Sequence, residues 1–239
     1  MVYQPNMVVL AVMKFTAISD RIFFSLLDGC TVDEQKSILK YKLRSDQIRS
    51  LLAIIQIKYC FKKYINSEQE IMIKKDIYGN PNVVGWVGDI SISHSADWIF
   101  TGISSFGRIG IDIECQNPFP FLKGSEVLFL SKTELSVYQT IQNLEESRNY
   151  LLSMWTLKEA YLKEVGIGLN QINPTSLSFD YMPKNTGDNF TYNGVSLLHT
   201  YDIDGVAKAA VSTSLTHCPS IYFYKHEQQS MLTEMLCSK

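Results

Sequence analysis

Neither sign of charge dominates this 239-residue chain: 22 lysines and arginines stand against 24 aspartates and glutamates, a formal net charge of −2. A nucleic-acid partner is therefore not expected, because it would call for a basic field that the chain lacks. Paired cysteines are lacking too. Cys30, Cys60, Cys115, Cys218 and Cys237 are odd in number, scattered, and never spaced as C-x-x-C. That pattern argues against a disulfide framework and a structural zinc site, and for a reducing cytoplasm. Long apolar runs are also missing. Met7–Met13 is apolar but far too short to cross a bilayer, and it has neither a basic flank nor a small-residue cleavage site. It reads as a buried strand, and no membrane partner is expected. Low-complexity tracts and repeats of identical sequence are absent as well. What remains is an ordinary globular composition, 46% hydrophobic, enough to bury a core in one large domain or two small ones.

Taken in order, Val8–Phe15 is the first expected strand. Thr31 or Asp33 can cap a helix running to about Leu43, and Ser45 or Asp46 a second one to about Ile65. The second carries Ile48, Leu51, Leu52, Ile55 and Tyr59 at helical spacing, with Arg49 off the stripe. Between Lys36 and Lys63 eight basic residues face one acid, Asp46, which marks either a solvated helix face or a local anion site. Glu70–Lys74 is a short strand candidate, and Tyr78-Gly79-Asn80-Pro81 is a turn by its chemistry. Ile90–Ser95, Trp98–Ser104 and Arg108–Glu114 read as strands joined by hairpins at Ala96-Asp97 and Ser105-Phe106-Gly107. Past Pro118 and Pro120, helices are expected over Ser131–Ile141 and Glu145–Val165, the latter stopped by Gly166 and Gly168. Ser176–Met182, Val195–Tyr201, Val206–Thr213 and Ile221–Lys225 read as a closing antiparallel meander. The fold class is α+β, in two halves with a seam near Cys115–Phe121 (1–115 and 116–239), the second a candidate diverged copy of the first.

The chemistry concentrates in Gly110-Ile-Asp-Ile-Glu114 and in Trp155-Thr-Leu-Lys-Glu-Ala-Tyr-Leu-Lys163. Strand alternation sends Asp112 and Glu114 to one side. Helical spacing puts Glu159 and Lys163 on one face. Each pattern alone is commonplace as solvated surface, and their joint occurrence carries the weight. Two like charges 4 Å apart repel by about 4 kcal/mol at an effective dielectric near 20, and a bound dication reverses that sign. Ligands that are all carboxylates point to Mg²⁺, with Mn²⁺ as a substitute, and so to a diphosphate substrate. Ser93-His94-Ser95 adds hydroxyls and an imidazole able to donate to phosphate.

Together Ser91-Ile-Ser-His-Ser95, Gly110–Glu114, Trp155–Lys163 and the following Gly166-Ile-Gly-Leu169 resemble the surfactin-synthetase-activating type of 4′-phosphopantetheinyl transferase, over about Lys36 to Phe179. The resemblance implies a pseudo-dimer of two similar α+β halves, each a small antiparallel sheet packed with helices, with coenzyme A in the cleft between them. It implies transfer of the phosphopantetheine arm to a serine of an apo acyl or peptidyl carrier protein, with release of adenosine 3′,5′-bisphosphate. On this sequence it assigns Mg²⁺ to Asp112, Glu114 and Glu159, and the catalytic roles to Glu159 as base, Lys163 and Asp112. Coenzyme A binding falls to Arg49, Gly79, Asn80, Pro81, Ser93, His94, Lys158 and Lys163. Asn80 stands where the family often has lysine, so a charge near the 3′-phosphate is missing. Either the affinity for that phosphate is weaker or another lysine supplies the charge; the family's upstream lysine cluster does not align cleanly, and Lys36 or Lys40 is its candidate here. Phe119, Phe121, Leu122 and Phe129 are candidates for carrier docking or for core. One chain supplies both halves, so a monomer is expected. The competing readings are a Mg²⁺-dependent hydrolase of coenzyme A or a related nucleotide diphosphate, and a non-catalytic coenzyme A-binding module.

Overall fold

A computed structural model describes residues 6–65, 71–76, 79–167, 171–179, 187–214 and 219–237. The chain divides into two compact units, Met1–Gly107 with Pro219–Lys239, and Arg108–Cys218. The division thus comes at Gly107–Arg108 rather than in Cys115–Phe121, because the third hairpin strand pairs within the second unit.

The first unit holds strands β1 (Met7–Lys14), β4 (Asp89–Ser95), β5 (Trp98–Ser104) and β10 (Ser220–Glu227) in the order β10-β1-β5-β4. β1 is buried from Met7 to Met13, as a central strand should be. Helices α1 (Asp20–Leu27), α2 (Val32–Leu39) and α3 (Arg44–Cys60) follow β1, and α6 (Gln228–Cys237) follows β10. α1 and α6 have no counterpart in the sequence reading. α2 starts at a Thr31–Glu34 capping box and stops before Leu43. α3 continues as one π-helical turn, Phe61–Ile65, so its reach to Ile65 is as expected. Leu51, Leu52 and Ile55 of α3 share a core with Val9, Ala11 and Met13 of β1 and Met231 and Leu232 of α6. Strands β2 (Ile73–Lys75) and β3 (Pro81–Val83) form a separate hairpin. Of the expected elements here, Glu70 and Tyr78 lie outside the described residues.

The second unit holds β6 (Ile109–Cys115), β7 (Asn189–Tyr192), β8 (Ser196–Ile203) and β9 (Ala207–Ser214), antiparallel in the order β6-β9-β8-β7. Helices α4 (Lys132–Thr140) and α5 (Leu144–Val165) lie between β6 and β7 in the chain. Leu151, Met154, Leu157 and Ala160 of α5 pack with Leu198, Ala210, Phe129 and Phe179. Gly166 ends α5 in the left-handed region at φ 76°; Gly168 and Cys218 lie outside the described residues. Both units run strand, capped helix, long helix, hairpin, and both set the first strand beside the last hairpin strand.

Two expectations fail on strand partnership, and a third strand is absent from the described part of its range. β4 and β5 make the first hairpin, but Ser105-Phe106-Gly107 makes none, since β6 pairs with β9 instead. β10 leaves the closing meander and runs parallel to β1. Pro174–Ser176 is a 3-10 turn and 177–179 has no regular structure, while 180–182 lie outside the described residues. No helix among the described residues is long and apolar enough to cross a membrane.

Candidate functional site

The acidic grouping is built where α5 crosses β6. Asn143 caps α5 by accepting from the amides of Glu145 and Glu146. Gly110 decides how close the two elements come. A Cβ on it would stand 1.9 Å from the Ala160 carbonyl oxygen and 2.3 Å from the Glu164 nitrogen, both backbone atoms of α5. Only glycine allows that approach. At the helix end, Arg108 packs around Gly166, whose added Cβ would meet its guanidinium at 2.5 Å.

That approach gathers the charged groups. Asp112 is 5% exposed, and its Oδ1 lies 2.7 Å from the Lys163 ammonium. Lys163 also donates to the Ile111 carbonyl at 3.0 Å. The Glu159 carboxyl is pushed up to about 7, first by burial, then by the negative charge of Asp112, with Lys163 pulling back and Glu114 adding to the rise. Asp112, Glu114, Glu159 and Lys163 therefore act on one another, as the sequence spacing suggests. Among the described residues, no three His, Cys, Asp or Glu side chains stand as a ready-made metal cluster. The donor set is nonetheless all oxygen, and its mutual repulsion is what a hard dication would relieve. These residues fit Mg²⁺ by chemistry, with Lys163 supplying positive charge beside Asp112.

Lys158 departs from its assignment. Its side chain is fully buried, and Nζ donates to Glu134 Oε2 at 2.6 Å and to the carbonyls of Phe129, Leu177 and Pro174 at 2.7, 2.7 and 3.0 Å. Burial draws its pKa down, against the pull of Glu134. A lysine with four oxygen acceptors inside the protein has no donor left for a phosphate. Phe129 is likewise core, 3% exposed, whereas Leu122 is 83% exposed; Phe119 and Phe121 are half-buried.

The remaining candidates belong to the first unit. Arg49 pairs with Asp46 at 2.7 Å and reaches the Ala96 carbonyl at 3.2 Å, two residues past His94. Arg49 and the end of β4 therefore share one patch. Within β4, Ser93 is buried and His94 exposed, as alternation requires. Gly79 turns at φ 90°, and Asn80 is held by Asp76 through its amide at 2.8 Å and its side chain at 3.2 Å; Pro81 then opens β3. Lys36 and Lys40 are exposed on and just past α2. Lys58 from the same basic run is not: it is paired with buried Glu34 at 2.7 Å. Two residues that matter here had no role in the sequence reading. In the sequence Gly110 is simply the first residue of the Gly110–Glu114 motif, and the one signal for Glu134 is its place as the fourth residue of a Ser131-x-x-Glu capping pattern.

Residues 108–211 match the family model described as the 4′-phosphopantetheinyl transferase superfamily. That stretch contains β6, α4, α5 and the whole acidic grouping. The match therefore falls within the second unit. Among curated proteins, the chain is 25% identical over 147 residues to the 4′-phosphopantetheinyl transferase ffp of Bacillus subtilis, covering 61% of this chain and 64% of that one. It is 26% identical over 140 residues to the 4′-phosphopantetheinyl transferase Sfp of Bacillus subtilis strain 168, covering 58% and 61%. A putative 4′-phosphopantetheinyl transferase of Synechocystis, slr0495, is 24% identical over 162 residues, covering 62% and 64%. In each case the chain spans less than two thirds of the relative's length.

Proposed function

We propose that this protein transfers the 4′-phosphopantetheine arm of coenzyme A to a serine of an apo acyl or peptidyl carrier protein. The observation that carries the reading is the grouping of Asp112, Glu114, Glu159 and Lys163 on β6 and α5, within the stretch that matches the superfamily model. In the reaction the serine oxygen bonds to the phosphorus on the pantetheine side of the diphosphate. The bridging phosphorus–oxygen bond breaks, and its electron pair leaves with adenosine 3′,5′-bisphosphate. Glu159 is the residue assigned as the base that takes the serine proton. The Lys163 ammonium, already beside Asp112, offsets charge on the phosphoryl oxygens. Asp112, Glu114 and Glu159 are the residues that would hold Mg²⁺ or Mn²⁺. When bound, such an ion supplies positive charge to the diphosphate.

The same reading assigns coenzyme A contacts to Arg49, Ser93, His94 and the Gly79–Pro81 turn. The proximity of Arg49 to the end of β4 supports the first three. The Asp76–Asn80 bonds add no positive charge to the turn, so the 3′-phosphate depends on Arg49 and lysines such as Lys40. For the carrier, exposed Leu122 and Leu128 are the apolar contacts to test, and Phe129 is excluded by its burial.

Intact-mass spectrometry of an apo carrier incubated with the protein, coenzyme A and Mg²⁺, with an EDTA control, tests the proposal. A metal-dependent gain of one phosphopantetheine on the carrier is the expected result. Consumption of coenzyme A without that gain would instead favour the hydrolase. Binding of coenzyme A without consumption, across acyl and peptidyl carriers, would favour a silent module.

A further inference from the structure

The bonds that remove Lys158 from the substrate raise the question of what it does at position 158, next to Glu159. Its four acceptors come from separate points of the chain: Phe129 before α4, Glu134 in α4, and Pro174 and Leu177 after α5. Glu134 is equally engaged. Its Oε2 also accepts from the Ser131 amide at 2.7 Å, its Oε1 accepts from the Phe179 amide at 2.9 Å, and its carbonyl accepts from the Tyr150 hydroxyl. A buried ion pair is weak evidence of stabilisation, and its best-attested use is to fix register.

The first unit contains the same device. Glu34 closes a capping box with Thr31, its Oε2 accepts from Lys58 at 2.7 Å, and its Oε1 accepts from the Ile73 amide at 2.9 Å. In both units the lysine follows the glutamate by 24 residues, and the second carboxylate oxygen takes a backbone amide from a later segment. The neighbours differ: Tyr59 follows Lys58, whereas Glu159 follows Lys158. The Glu–Lys pair thus occurs both with and without a carboxylate beside it.

We propose that Glu134 and Lys158 are positioning residues that set the rotation of α5, so that Glu159 is presented to Asp112. Consecutive helical residues are about 100° apart, so clamping position 158 on the buried side fixes the direction of 159. Side-chain ends lie about 6 Å from a helix axis, so a turn of about 10° moves the carboxyl by roughly 1 Å. A misplacement of that size is worth about 100-fold in rate.

This inference rests on the transferase reading, and the test separates the two. The double variant Glu134→Gln/Lys158→Met removes both charges and leaves neither stranded; Glu34→Gln/Lys58→Met does the same in the first unit. Both should lower Tm comparably. Only the first should lose about 100-fold in kcat for transfer, with KM for coenzyme A within about twofold. Equal kcat losses in the two variants, or none in the first, would overturn the proposal. If the first variant does not fold, Lys158→Arg keeps the charge but not the point geometry, and should show the same kcat loss. Amide hydrogen exchange over 155–163 needs no turnover. It should accelerate in the 134/158 variant and not in the 34/58 variant. If the wild type transfers nothing, the functional reading falls, and the exchange comparison still decides the role of the Glu134–Lys158 pair.

Discussion

Glu159 illustrates how much an environment can change a common residue. On an exposed helix face it would be an ordinary carboxylate, but burial and Asp112 together hold its proton to near neutrality. Glu159→Gln keeps the shape and removes both the proposed base and the repulsion. It should lower transfer by about 10³-fold while leaving Tm at pH 8 unchanged or slightly higher, measured by carrier mass shift and thermal melting. Gly110 matters in the opposite way, through what it lacks. Gly110→Ala drives a methyl into backbone atoms of α5 that cannot yield as a side chain could. The expected cost is about 1–3 kcal/mol by denaturant titration, with transfer lost in proportion to the displacement of Glu159. Both residues stand in motifs plain in the sequence. The reason for Gly110 is not, because the carbonyl it clears lies on a helix some 50 residues later in the chain.

Among the elements, β8 and β10 each carry a half-buried histidine. Burial pulls His199 down to about 4. It does the same to His226, helped by the Lys63 charge and opposed by Glu234. His226 also meets the Tyr64 hydroxyl at 3.0 Å and packs near the rings of Tyr59, Tyr64 and Tyr224. A histidine whose folded pKa lies below its unfolded value near 6.5 binds fewer protons when folded. Stability from these two is complete above about 6.5 and is lost as pH falls towards 4. Thermal melting should therefore show Tm falling across that window, less steeply in His226→Phe. Elements with strong local signals were legible in advance. β1, α4 and α5 follow from apolar runs, capping residues and a terminal glycine. α1 and α6 were missed; α1 is a short helix whose Ser19 cap stands in no longer pattern.

For the chain as a whole, the return of β10 and α6 to the first unit is the feature that local sequence conceals. β10 pairs with β1 along its full length, and Met231 and Leu232 of α6 join the same core. A chain ending at residue 218 would expose one edge of β1 and the α6 side of α3. It should lose cooperative melting of the first unit, read by circular dichroism and by hydrogen exchange in 7–14, while β6–β9 stay protected.

Spacing and residue type were enough to indicate α+β architecture, the carboxylates on β6 and α5, and the lysine beside them, because these depend on periods of two and 3.6 within one element. Partnership was not. That β6 pairs with β9 and β10 with β1, and that Lys158 turns inward to Glu134 while Glu159 one residue later faces Asp112, depend on which distant backbone offers the hydrogen bond. A period records a face but not what covers it, so only the folded chain could separate the lysine beside Asp112 from the one buried against Glu134.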